Sequence, residues 1–196
     1  MTPFPEKQRS EIAKLITQWW QSLQPNEAGQ DKTGQFAMLG RADRAQLRHC
    51  KTADEALLLS CVHRLSRALN RLDGVDIDLS ALALAAAVIA HATDHQPKKY
   101  FANSLGTINT AGRVPMSELR FQQLQTCCSE SDFFRHARRA LALLGGVVNV
   151  GECACDLLQW VAEFRASDST LLPQKKRLKL RWASGYYDAI LDSETP

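Results

Sequence analysis

LSALALAAAVIA, residues 79–90, is apolar almost all the way round a helix. A helix without a polar face sits inside a bundle, with other helices packed about it. The run is about a dozen residues long, short of the ~20 that a bilayer requires. Asp78 stands where an N-cap belongs, and Pro97 closes the segment. The spacing predicts one helix over residues 79–95, with His91 and His95 on one face.

The flanks carry the amphipathic helices that such a centre needs. Ile12, Leu15, Ile16, Trp19 and Leu23 recur at three and four residues. Pro25 opens a polar, aperiodic stretch to Leu39, read as a mobile loop. A short helix is expected over residues 41–49. Thr52 with Glu55 has capping-box spacing and opens a longer helix whose apolar side is Leu58, Val62, Leu65, Leu69 and Leu72. Residues 98–115 are irregular apart from one turn near Phe101. Helices are then expected after Ser117, after Ser129 with Asp132, after Asn149 with Glu152, and after Pro173. Val147-Val148 is too short to build a sheet. The chain reads as all-α, about eight helices in two packed sub-bundles (1–97 and 98–196), with no sheet and no fixed repeat.

The 196 residues carry 24 Lys+Arg against 21 Asp+Glu, a net charge of only +3. Divided along the chain, the charge is segregated. Residues 40–71 hold +4, 72–97 hold −4, 98–139 hold +4, 140–172 hold −3 and 173–181 hold +5. Arg41, Arg44 and Arg48 fall at i, i+3 and i+7, so they project the same way. Arg64, Arg67 and Arg71 lie opposite one apolar stripe; Arg135, Arg138 and Arg139 lie opposite Ala137, Leu141 and Leu144. Such rows are what solubility requires of a helix, and also what a phosphate backbone contacts through bidentate guanidinium pairs.

Motifs for catalysis are missing: there is no Gly-rich phosphate loop, nucleophile elbow or zinc-protease helix. His91 and His95 have chelating spacing without further ligands in register, and His91 reads better as a buried histidine with a hydrogen-bond partner. The six cysteines form no CxxC pair, and no signal or membrane segment is evident, so a reducing cytoplasm is expected. No enzyme, metal or cofactor is expected.

The order of several short motifs adds to this. Trp19-Trp20 closes the first helix, followed by Gly40-Arg41-Ala42-Asp43-Arg44-Ala45-Gln46-Leu47-Arg48 and Ala53-Asp54-Glu55-Ala56-Leu57. His63-Arg64-Leu65, Ser117-Glu118-Leu119-Arg120-Phe121, Arg138-Arg139-Ala140-Leu141, Val148-Asn149-Val150 and Trp182 with Tyr186-Tyr187 come later. Over nearly its whole length the chain resembles the small subunit of the type I-E CRISPR Cascade complex. The resemblance implies an all-helical, non-enzymatic subunit present in two copies, contacting other Cascade subunits, crRNA, and the target and displaced DNA strands, and stabilising the R-loop. Arg41, Arg44, Arg48, Lys98, Lys99, Arg113, Arg120, Arg135, Arg138 and Arg139 are then the expected nucleic-acid contacts. An all-α protein-interaction module, or a helix-turn-helix regulator, remains the alternative reading.

Overall fold

The computed structural model describes residues 6–25, 34–109, 112–166 and 176–194. The described residues form ten α-helices and one pair of very short strands: α1 (Arg9–Ser22), α2 (Arg41–His49), α3 (Ala53–Leu57), α4 (Ser60–Leu69), α5 (Leu79–Ile89), β1 (Asp94–His95), α6 (Phe101–Gly106), α7 (Glu118–Gln125), α8 (Glu130–Leu143), β2 (Val147–Val148), α9 (Val150–Arg165) and α10 (Leu178–Glu194). Much of the loop expected from Pro25 to Leu39, together with Lys175 of the last basic run, lies outside the described residues.

α5 is the centre. Every residue from Ala81 to Ala90 is buried, and α2, α3, α4, α8 and α9 pack against the helix. The caps form as their sequences indicate. Asp78 accepts from the Ala81 amide, Thr52 from Glu55, Ser129 from Asp132 and Asn149 from Glu152. Each side chain satisfies an amide that the first turn of a helix leaves without a partner. The Glu55 carboxylate reaches back to the Lys51 amide, one residue short of a reciprocal box.

α1 lies against α9 at unusually close range. A Cβ at Gly151 would stand 2.3 Å from the Ala13 carbonyl oxygen, so only glycine admits this approach. An ionic network bolts the pair to α10: Asp156 accepts from Arg9 at 2.6 Å, from Arg181 at 2.7 Å and from the Trp182 indole at 2.8 Å.

Three expectations need correction. The helix opened by Thr52 is two helices, because Leu59 is extended (φ −93°, ψ 125°) and Leu58 points to solvent, 84% exposed. His63 donates through Nε2 to the Leu57 carbonyl at 2.7 Å, serving one of the acceptors left at the break. The turn at Phe101 is a full helix, α6, and with that split the count becomes ten.

The third correction concerns residues 90–97. α5 ends at Ile89, and the chain then pairs in parallel with Val147-Val148. Pro97 biases its predecessor to extended backbone, and the Gly146 and Val148 carbonyls collect the Thr93 and Gln96 amides at 2.9 and 3.1 Å. Gly146 (φ 78°) must be glycine on two counts, its left-handed backbone and a Cβ position 2.8 Å from Thr93 Oγ1. A small sheet therefore exists. His91 and His95 share no helix face, and His95 Nδ1 accepts from the Val150 amide at 3.1 Å.

Candidate nucleic-acid interface

α2 and α8 meet at the end of α5, and their arginines meet there too. Arg138 donates through Nη1 to the Cys50 carbonyl (2.9 Å) and through Nη2 to the Arg48 carbonyl (3.2 Å), closing the C-terminus of α2. Its guanidinium also lies 5.1 Å from the Phe134 ring centroid, within cation–π range. Arg44 donates through Nε to Ala90 (3.1 Å) and through Nη2 to Ala92 (2.5 Å), where the backbone leaves α5. Arg48 and Arg41 are exposed, with no ion pair among the described residues.

The result is a concentration of like charge. Burial and the neighbouring Arg48 lower the proton affinity of Arg44; burial, then Arg48, does the same to Arg138 against an opposing effect of Cys50. His91 lies under this group. Burial, followed by Arg138, Arg48 and Arg44, pushes its imidazole down to about 4, so it is neutral at pH 7. Its Nε2 is buried without a hydrogen-bond partner, contrary to the partnered histidine expected from sequence.

Arg120 of α7 and Arg139 of α8 come together along a groove of about 440 Å³ lined also by Met116, Gln123, His136 and Leu143. Arg135 forms an ion pair with Asp132 one turn earlier on α8. Lys98 and Lys99 are exposed on the segment between β1 and α6; Arg113 is exposed, and its amide donates to the Asn109 side chain. These last three line neither this groove nor the next one.

A second groove was not foreseen as a site. Arg64, Arg67 and Arg71 were legible as a row, but the structure sets Gln35 and Phe36 opposite them, with Ser60 and His63, around an open hollow of about 540 Å³. No carboxylate lines it among the described residues. The opposing wall comes from the aperiodic turn before α2, which no periodicity could reveal.

Elsewhere arginine is neutralised. Arg9 and Arg181 pair with Asp156, and Arg165 pairs with Asp78 at 2.7 Å and Glu130 at 2.5 Å, fastening α9 to the N-termini of α5 and α8. All six cysteines are free, and burial raises the Cys61 and Cys127 thiols to about 12 and about 11. Among the described residues no helix is long and apolar enough to cross a membrane.

Fold and surface together define a helical protein whose cationic faces are kept apart from its internal ion pairs. A family model described as CRISPR-associated protein Cse2 matches residues 43–187, from α2 into α10. The chain belongs to this family, the small subunits of type I-E Cascade, and is a CRISPR Cascade subunit. The family is one of structural subunits that assemble with other Cascade subunits and crRNA. No curated protein and no solved structure matches the chain.

Proposed function

We propose that this subunit holds nucleic-acid backbone within Cascade and stabilises the R-loop through its arginine faces, without catalysing a reaction. The observation that carries the reading is the junction of α2 and α8. There Arg48 repels both Arg44 and Arg138 beside a neutral histidine, and no carboxylate lies among their bonded partners in the described residues. Like charge assembled without a counter-charge is costly in a free protein and is relieved by an anion. Arginine prefers phosphate geometry, and in RNA-guided recognition base pairing reads the sequence while protein holds the backbone. Arg41, Arg120, Arg139 and the α4 row extend the cationic surface, with Lys98, Lys99, Arg113 and Arg135 at its margins. A second copy of the chain alongside the first would lengthen the same track, and the cytoplasm is where such a complex would meet its target.

Exposed residues test this most cleanly, because Arg44 and Arg138 also hold the fold together. Cascade reconstituted with the Arg41→Ala, Arg48→Ala, Arg139→Ala chain should assemble normally and bind target DNA more weakly. The slope of log affinity against log salt should fall by about 0.7–0.9 for each lost phosphate contact. Unchanged affinity and slope at physiological salt would remove the basis for this reading.

A further inference from the structure

The junction of α2, α8 and the end of α5 holds a feature that backbone binding alone does not require, the imidazole of His91. Its Nε2 is buried and makes no hydrogen bond, while Arg44 holds the carbonyls of the residues on either side, Ala90 and Ala92. The charges acting on it are all positive: Arg44 and Arg48 from α2, and Arg138 from α8. No carboxylate among the described residues opposes them. Two of these arginines are fixed in place by backbone carbonyls and cannot swing away.

The same bonds leave the guanidiniums with capacity to spare. A guanidinium has five N–H groups. Arg44 and Arg138 each commit two of them to carbonyls, leaving three apiece, and Arg48 makes no side-chain bond among the described residues. An anion resting on these three groups would take its donors from N–H groups that the bonds closing α2 and receiving α5 do not use.

We propose that Arg44, Arg48 and Arg138 form a seat for one backbone phosphate, and that His91 beneath them takes up a proton from solvent when the phosphate arrives. The proposal rests on the backbone-binding reading and specifies how that site responds to its ligand. Two effects on His91 compete. Burial, the larger cause of its neutrality, changes little on binding because Nε2 is already buried. The phosphate supplies a negative charge where only positive ones stood. At an effective dielectric near 20 and about 5 Å, one such charge raises proton affinity on the order of a hundredfold. The electrostatic gain wins, and nucleic-acid binding at this seat strengthens as pH falls toward roughly 5. The imidazolium then also gains a use for its orphaned nitrogen, as a donor toward the anion or its guanidinium-bound water.

The test uses the full chain and an oligothymidylate of defined length. Histidine ring signals are followed by NMR across a pH titration, with and without the oligonucleotide. Calorimetry at about pH 5.5 in buffers of different ionisation heat counts the protons taken up. The expected result is an upward move of the His91 midpoint on binding, with proton uptake that His91→Gln removes. Arg48→Gln, which breaks no internal bond, should lower affinity and shrink the same uptake, so the outcome does not depend on one variant folding. Binding that leaves the His91 midpoint unmoved, or uptake identical in His91→Gln, overturns the proton-coupled seat while the backbone-binding reading stands. Failure of the unaltered chain to bind the oligonucleotide overturns both.

Discussion

The arginine rows that begin on α2 and on α4, the second running past the end of the helix to Arg71, have one spacing and two fates. Arg41, Arg44 and Arg48 stand at i, i+3 and i+7, as do Arg64, Arg67 and Arg71. On the α4 row all three side chains remain exposed and line an open groove. On α2 the middle guanidinium turns inward onto the carbonyls of residues 90 and 92, and Arg138 comes across from α8 to close the other end. Periodicity fixes the direction in which a Cβ points, but neighbouring helix ends decide whether the guanidinium is available. A helix that stops leaves carbonyls without donors, and a long side chain within reach is drawn to them. α2 and α8 carry structural arginines for that reason, and α4 does not.

Removing the inward pair gives the largest effect. Arg44→Ala with Arg138→Ala strips four hydrogen bonds from the carbonyls that end α2 and α5, and should cost about 2–4 kcal/mol of unfolding free energy in a urea titration. The matching change on the other row, Arg64→Ala with Arg67→Ala and Arg71→Ala, should stay within about 1 kcal/mol. Equal losses in the two variants would erase the distinction between the rows.

Nucleic-acid binding should reverse that order of consequence. The α4 triple variant keeps its stability but should lower the salt slope for single-stranded DNA by about 2, at about 0.7 for each phosphate contact. A slope that does not change would assign the α4 groove to the same solvated role as any amphipathic helix surface.

The smallest effect separates both rows from the neutralised arginines. Hydrogen bonds from Ser80, the Ala81 amide and Arg165 outweigh the effect of burial and hold the Asp78 carboxyl at about 2, below its ordinary 3.8. A depressed carboxyl stabilises the fold above the unfolded value, and that contribution fades as pH falls from about 4 through 2. Asp78 and Arg165 are well exposed, so solvent screening limits the contribution to about 1 kcal/mol at most. Asp78→Asn should flatten this part of the acid-stability curve, whereas the α4 triple variant should leave it unaltered.

The same contrast explains what the sequence disclosed. The centrality of residues 79–90 and the caps at Thr52, Asp78, Ser129 and Asn149 were readable because period and capping are local properties. The break at Leu59 and the exit of the chain from α5 at Ile89 were not. The exit depends on bonds across long stretches of chain, such as the Thr93 amide reaching Gly146 and Arg44 reaching Ala92, and the break on a single side-chain bond, His63 to the Leu57 carbonyl, that no period encodes. At the candidate interface the rows were legible and their surroundings were not. Nothing near His91 in sequence places Arg138 above it, and nothing near Arg64 places Gln35 across a hollow.

The burial of α5 on every side also governs how the protein is made. Two of the helices that cover it, α8 and α9, follow it in the chain, and about 75 residues separate Ala90 from the end of α9 at Arg165. A ribosome adding about 5–20 residues per second needs roughly 4–15 s to produce them. Throughout that interval a leucine- and alanine-rich segment with no polar face has emerged without its final cover. Transient shelter from a chaperone, or early docking onto α3 and α4, is therefore part of the cost of building a bundle around an apolar axis placed near the middle of the chain.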